Sequence, residues 1–137
     1  LKIVFDTNII LDVLLIREPY FQLSANLFDS VVSKIIQGYL CATTLTTIDY
    51  LISKQHGKLQ AREIICGLLD LFLIAEVNQT VLKNASLSDF ADFEDAVLYH
   101  SGVFIKADCF VTKNIKDFKT ATLPVYSPAD LLAIIQK

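Results

Sequence analysis

The stretch Ile3-Val4-Phe5-Asp6-Thr7-Asn8-Ile9-Ile10-Leu11-Asp12 constrains the chain most, because it sends an apolar strand straight into an apolar helix and takes two carboxylates along. Leu1 to Phe5 reads as a buried strand, Thr7 and Asn8 as turn or N-cap residues, and Ile9 to Ile16 as a helix. At about 100° per residue, Ile9, Ile10, Leu11, Val13, Leu14, Leu15 and Ile16 cover every side of that helix, which predicts burial nearly all round. Asp12 is the one charge within it. A lone buried carboxylate costs so much that it is paired, protonated or bound to a cation. A cation shared with Asp6 is the expected answer.

The remaining elements follow from period and punctuation. Helical spacing runs from Phe21 to Gln37 and Gly38 ends it; Tyr39 to Ala42 is a second strand, and Thr43 or Thr44 caps a helix to about Gln55. Leu59 to Leu69 is a further helix, Phe72 to Val77 a third strand and Thr80 to Leu87 a short helix. Ser88 to Asp92 leads into a helix ending near Gly102. Cys109 to Thr112 and Pro124 to Tyr126 are the last strands, and Pro128 to Gln136 closes as a helix with proline near its first turn. Strands separated by helices require right-handed crossovers. The fold expected is therefore α/β, a three-layer α/β/α sandwich with a central parallel sheet of about five strands, in a single domain over residues 1–137.

Composition narrows the function. A content of 53% hydrophobic residues fits a sheet covered on both faces. Asp12 and Asp70 interrupt the longest apolar stretches, so none reaches the roughly 18 to 20 residues that cross a bilayer, and no signal-peptide pattern is read at Leu1. Cys41, Cys66 and Cys109 stand singly, without CxxC spacing or a neighbouring His, and read as small buried hydrophobes of a reducing cytoplasm. The net charge of −3 argues against holding nucleic acid by the overall field. It leaves open an approach to phosphate through a divalent metal and a local basic patch. Four glycines without a GxGxxG argue against a dinucleotide or P-loop site.

Ligands of open parallel sheets collect beyond the carboxyl ends of the strands, and acids recur there. The first strand delivers Asp6 and Asn8. Asp49 lies within about 60° of the apolar stripe on the helix after strand two, although a cap or a nearby lysine would also account for it. Asp92 is placed to cap its helix, with Asp95 turned toward the strand ends and Glu94 roughly 160° away from Asp92, in solvent. Strand four ends in Thr112-Lys113-Asn114, followed by Asp117; a turn-forming role suits Asn114 equally well. Such carboxylates repel unless protonated or bridged, and oxygen-loving Mg²⁺ or Mn²⁺ is the natural bridge. His56 and His100 read as structural.

In Phe5-Asp6-Thr7-Asn8 with Asp12, the acid after strand two, Asp92-Phe93-Glu94-Asp95-Ala96, and Val111-Thr112-Lys113-Asn114 with Asp117-Phe118, the chain resembles a PIN domain, the metal-dependent ribonuclease fold of VapC-type toxins. Arg17-Glu18-Pro19 resembles one subgroup of that family. The resemblance maps the four family acids to Asp6, Asp49, Asp95 and Asp117, as catalytic residues and as ligands of one or two Mg²⁺ or Mn²⁺ ions. Asn8, Asp12, Asp92, Thr112 and Asn114 take supporting roles. It implies a cytoplasmic endoribonuclease with an RNA substrate, a small antitoxin as partner and a homodimeric state. Arg17, Lys113 and Lys116, with Lys106 and Lys119, are candidates to meet the RNA backbone. The family usually places Glu where this chain has Asp49, which withdraws the carboxylate by about one carbon–carbon bond, ~1.5 Å. That departure keeps open the alternative of a catalytically weak or inactive PIN-like domain that binds RNA or a partner protein. Receiver and haloacid-dehalogenase-like proteins also place Asp after a first parallel strand. Val77-Asn78-Gln79 lacks the acceptor of the former, and Asn8 stands where the latter needs Asp.

Overall fold

The computed structural model describes residues 1–136. Five strands, β1 (Lys2–Phe5), β2 (Gln37–Cys41), β3 (Leu73–Ala75), β4 (Cys109–Val111) and β5 (Val125–Tyr126), form one sheet in the order β3-β2-β1-β4-β5. Every pairing is parallel. Between them run α1 (Thr7–Leu14), α2 (Phe21–Val32), α3 (Ala42–His56), α4 (Lys58–Leu71), α5 (Gln79–Ser86) and α6 (Phe93–Phe104); α7 (Pro128–Ile135) follows β5. The chain builds outward from β1 to β3, then returns to lay β4 against the other side of β1. Winding direction reverses between β1 and β4, which opens a crevice at their carboxyl ends.

Alternation along the strands explains the two covered faces. Ile3, Phe5, Cys109 and Val111 belong to a core shared with α1, α2, α3, α4 and α7. Val4, Cys41 and Phe110 face the opposite way, into a second core with α5, α6 and Phe118. β1 and β4 are thus buried on both faces and read as unbroken apolar runs. Among the described residues no helix is long and apolar enough to cross a membrane. Cys41 and Cys109 are buried as expected, but Cys66 is exposed on α4.

The largest departure from the expected boundaries is at the end of α2. α2 stops at Val32 rather than Gln37, because Lys34 takes a left-handed turn at φ 60° and the Ile35 N–H bonds back to Ser30 O at 2.9 Å. Gly38, expected to stop that helix, lies inside β2 opposite Ile3. A Cβ there would stand 2.6 Å from the Phe72 ring and 2.9 Å from Val31. Its small size serves close packing.

Two helix glycines make opposite predictions. Gly67 on α4 has nothing within 4 Å of an added Cβ, so Gly67→Ala should stabilise by about 0.5–1 kcal/mol through helix propensity alone. A Cβ on Gly102 in α6 would meet the Phe110 ring at 2.3 Å, so Gly102→Ala should destabilise by about 1–3 kcal/mol. Urea unfolding of both variants measures the two signs.

Candidate active site

Asp6 is the first residue beyond β1. Its N–H donates to Val111 O of β4 at 3.0 Å, and the Thr112 hydroxyl donates to its Oδ2 at 2.7 Å. Thr112 Oγ1 in turn accepts the Asn114 N–H at 3.0 Å. These bonds tie the ends of β1 and β4 together across the crevice. On the other side, the Thr7 and Thr44 hydroxyls meet at 2.8 Å and fix α1 to the start of α3. The N-terminus of α6 completes the rim: Asp92 caps it by accepting the Asp95 N–H at 3.0 Å.

Five carboxylates, Asp6, Asp92, Glu94, Asp95 and Asp117, line the resulting cavity of about 330 Å³. Thr7, Asn8, Leu11, Thr47, Leu51 and Asn114 supply the neutral wall, and among the described residues no lysine or arginine lines it. The charges therefore oppose one another. Burial raises the Asp6 carboxyl above the usual range, and Glu94 and Asp117 push the same way, against the hydrogen bonds from Thr112 and the Thr7 backbone. Asp95 is pushed up to about 7, first by burial and then by Asp6, Asp92, Asp117 and Glu94. Among the described residues, no three His, Cys, Asp or Glu side chains form a ready-made cage for a metal. The donor set nevertheless suits Mg²⁺ or Mn²⁺, being all hard oxygen in an open cavity, where Mg²⁺ keeps several of its waters.

A model of the PIN domain matches residues 2–116 of this chain. The chain belongs to the PIN domain family. No curated protein matches it significantly in sequence. Solved structures share its fold. VapBC2 from Rickettsia felis, bound to a promoter DNA fragment, is 18% identical with a TM-score of 0.67, covering 93% of this chain and 98% of that one. FitAcB from Neisseria gonorrhoeae has the same identity and coverages and a TM-score of 0.70. A toxin–antitoxin complex from Klebsiella pneumoniae is also 18% identical, with a TM-score of 0.69 over 91% of this chain and 96% of its own.

Within this PIN domain, Asp6, Asp95 and Asp117 meet with Asn8, Asp92 and Asn114 around the cavity. Asp49 does not join them. It lies two residues, and so about 200°, from both Thr47 and Leu51, the α3 residues that do face the cavity. Its carboxylate instead accepts from Arg62 Nε of α4 at 3.2 Å. Glu94, expected in solvent, lines the cavity and accepts a 3.4 Å hydrogen bond from the Thr47 hydroxyl. Helix Cα–Cβ bonds tilt toward the N-terminus, so first-turn side chains project past the helix end whatever their angle on a wheel. The adjacent acids Glu94-Asp95 in a first turn were the signal for it.

Asp12 lies outside the cavity. It is fully buried, and the cation it meets is the Lys113 ammonium, 3.0 and 3.1 Å from its two oxygens, with the Arg17 guanidinium at 3.7 Å. No metal shared with Asp6 is needed there. Lys113 is thereby paired with Asp12, while the Arg17 side chain stays 39% exposed. Lys106 precedes β4, at the amino end of the sheet and away from the cavity. Lys116 stays exposed beside Asp117.

Two stability measurements follow. Because the fold raises Asp95 from 3.8 to about 7, the folded state retains a proton that the unfolded chain has lost. Stability from this group is complete below pH 4 and disappears as pH climbs through 7. Metal-free protein should lose a few degrees of Tm between pH 5 and 8, at about 4 °C per kcal/mol, and Asp95→Asn should flatten that slope. Lys113→Met leaves a buried charge short of its partner and should cost about 3 kcal/mol, most of it recovered in the double variant with Asp12→Leu. Denaturant unfolding tests the pair.

Proposed function

We infer that this PIN domain is a divalent-metal-dependent ribonuclease, the toxin of a cytoplasmic toxin–antitoxin pair. The observation behind this reading is the cavity at the reversal point of the sheet, where five carboxylates stand with no basic side chain among the described residues of its walls. Clustered acids at that position are stable when they share a cation. Solved toxin–antitoxin complexes with the same fold add support. A small antitoxin and a second copy of the chain are the protein partners this reading expects.

Asp6 and Asp95 are the deepest of the acids and the direct ligands in this account, with Asp117 and Glu94 acting directly or through water. A Mg²⁺ or Mn²⁺ ion held there supplies Lewis-acid chemistry, polarising a phosphoryl oxygen and activating water. The chain's own contribution is orientation. Thr112 holds Asp6 through its 2.7 Å hydrogen bond, and Asp92 fixes the first turn of α6 so that Asp95 faces Asp6. Asn8 and Asn114 present amides at the cavity wall, where each can donate to a phosphate oxygen.

The alternative, a domain that binds RNA or a partner without cutting, draws on the pairing of Asp49 with Arg62. Cleavage of mixed structured RNA in Mn²⁺ decides between them. On the ribonuclease reading the wild-type protein cuts, Asp6→Asn loses more than about 100-fold, and Thr112→Val loses about 10- to 100-fold. Asp49→Asn, removing only a partly exposed ion pair, should stay within about twofold. Poor Mn²⁺ binding with RNA binding retained favours the inactive domain, and equal cutting by Asp6→Asn identifies a contaminating nuclease.

A further inference from the structure

Two further hollows follow the acidic cavity, each sharing a wall residue with the one before. Asn114 and Asp117 line both it and a hollow of about 310 Å³ over Ile115 and Lys116. Lys113 lines that hollow and also a third pocket, of about 220 Å³, walled by Tyr20, Leu23, Pro128 and Ala129. The shared wall residues set the three in sequence, from the carboxylates past the exposed Lys116 to an apolar slot.

The slot has fixed walls. The Lys113 ammonium lies 4.0 Å from the Tyr20 ring centroid while Asp12 grips it from the other side. Tyr20 and Leu23 are still 45% and 40% exposed. Ser24 also lines the slot; it is fully buried, and its hydroxyl has no hydrogen-bond partner among the described residues. A buried hydroxyl of this kind, both donor and acceptor, is normally satisfied. The volume is below that of pockets for drug-sized ligands and suits a single flat heterocycle with apolar faces and a polar edge. A protein anchor would fill the slot equally well. It would leave unexplained the shared wall residues that lead past Lys116 to the acidic cavity.

We propose that the pocket of Tyr20, Leu23, Ser24, Pro128 and Ala129 takes one base of the RNA strand, beside the phosphate held at the acidic cavity, and so selects the nucleotide flanking the cut. The proposal rests on the ribonuclease reading. Tyr20 supplies a stacking surface, the Ser24 hydroxyl a contact for the base edge, and Lys116 a charge for the intervening phosphate.

Ala129 is exposed, so Ala129→Phe blocks the slot without entering the core, and Tyr20→Leu removes the ring. Binding is measured with a fluorescent, uncleavable 2′-O-methyl oligoribonucleotide of mixed sequence and with an abasic strand of the same length. Both variants should bind the base-bearing strand about 5- to 100-fold more weakly, the range of one base–aromatic stack. Both should bind the abasic strand and Mn²⁺ as the wild type does. Unchanged affinity for the base-bearing strand, with wild-type binding intact, overturns the subsite alone and leaves the slot to a protein anchor. Equal losses on both strands overturn it as well. A wild-type protein that neither binds nor cuts RNA overturns the subsite together with the ribonuclease reading.

Discussion

Mutual repulsion among Asp6, Asp92, Glu94, Asp95 and Asp117 is the constraint around which the rest of this PIN domain is arranged. The fold holds these charges together with modest local compensation: a hydroxyl from Thr112 on Asp6 and the N-terminus of α6, whose dipole favours anions. Neither removes the cost, since Asp6 and Asp95 both stay protonated to higher pH than an ordinary carboxyl. On the ribonuclease reading proposed above, a site built at such a cost is matched to a cation. The sheet order places it between β1 and β4, where the winding reverses and the strand ends cannot be covered by a crossover helix.

A second buried acid is handled in the opposite way. Asp12 has its own ammonium and guanidinium, and the partner lysine comes from the segment just beyond β4. The ion pair therefore ties α1 to the turn that presents Asn114 and Asp117, and it stiffens Tyr20 on its outer side. Two aspartates six residues apart thus do different work. One is neutralised within the chain, and the other is left for something outside it.

Much of this could be read from the sequence because the strong signals were local. Apolar runs of strand length, an acid at the end of the first, and a capped first turn at Asp92 and Asp95 required no knowledge of distant contacts. The structure departs from the expectation where a distant residue decides the outcome. Lys113 lies 101 positions from Asp12, and Arg62 reaches Asp49 from the next helix, so a wheel drawn on one helix showed neither. Gly38 resembles a helix stop in sequence, but Phe72 and Val31 occupy the space a side chain there would take. Glu94 lines the cavity rather than facing solvent because angle on a wheel does not describe a side chain in a first turn.

Calorimetric titration of Mn²⁺ into the protein at pH 6, repeated in two buffers of different ionisation enthalpy, tests the central claim most directly. If the crowded carboxylates are the metal site, each ion bound should expel about one proton at pH 6 and almost none at pH 8.5, because ligands must deprotonate to bind. The proton should vanish in Asp95→Asn. Binding at pH 6 with no proton released, or no binding at all, would contradict the account.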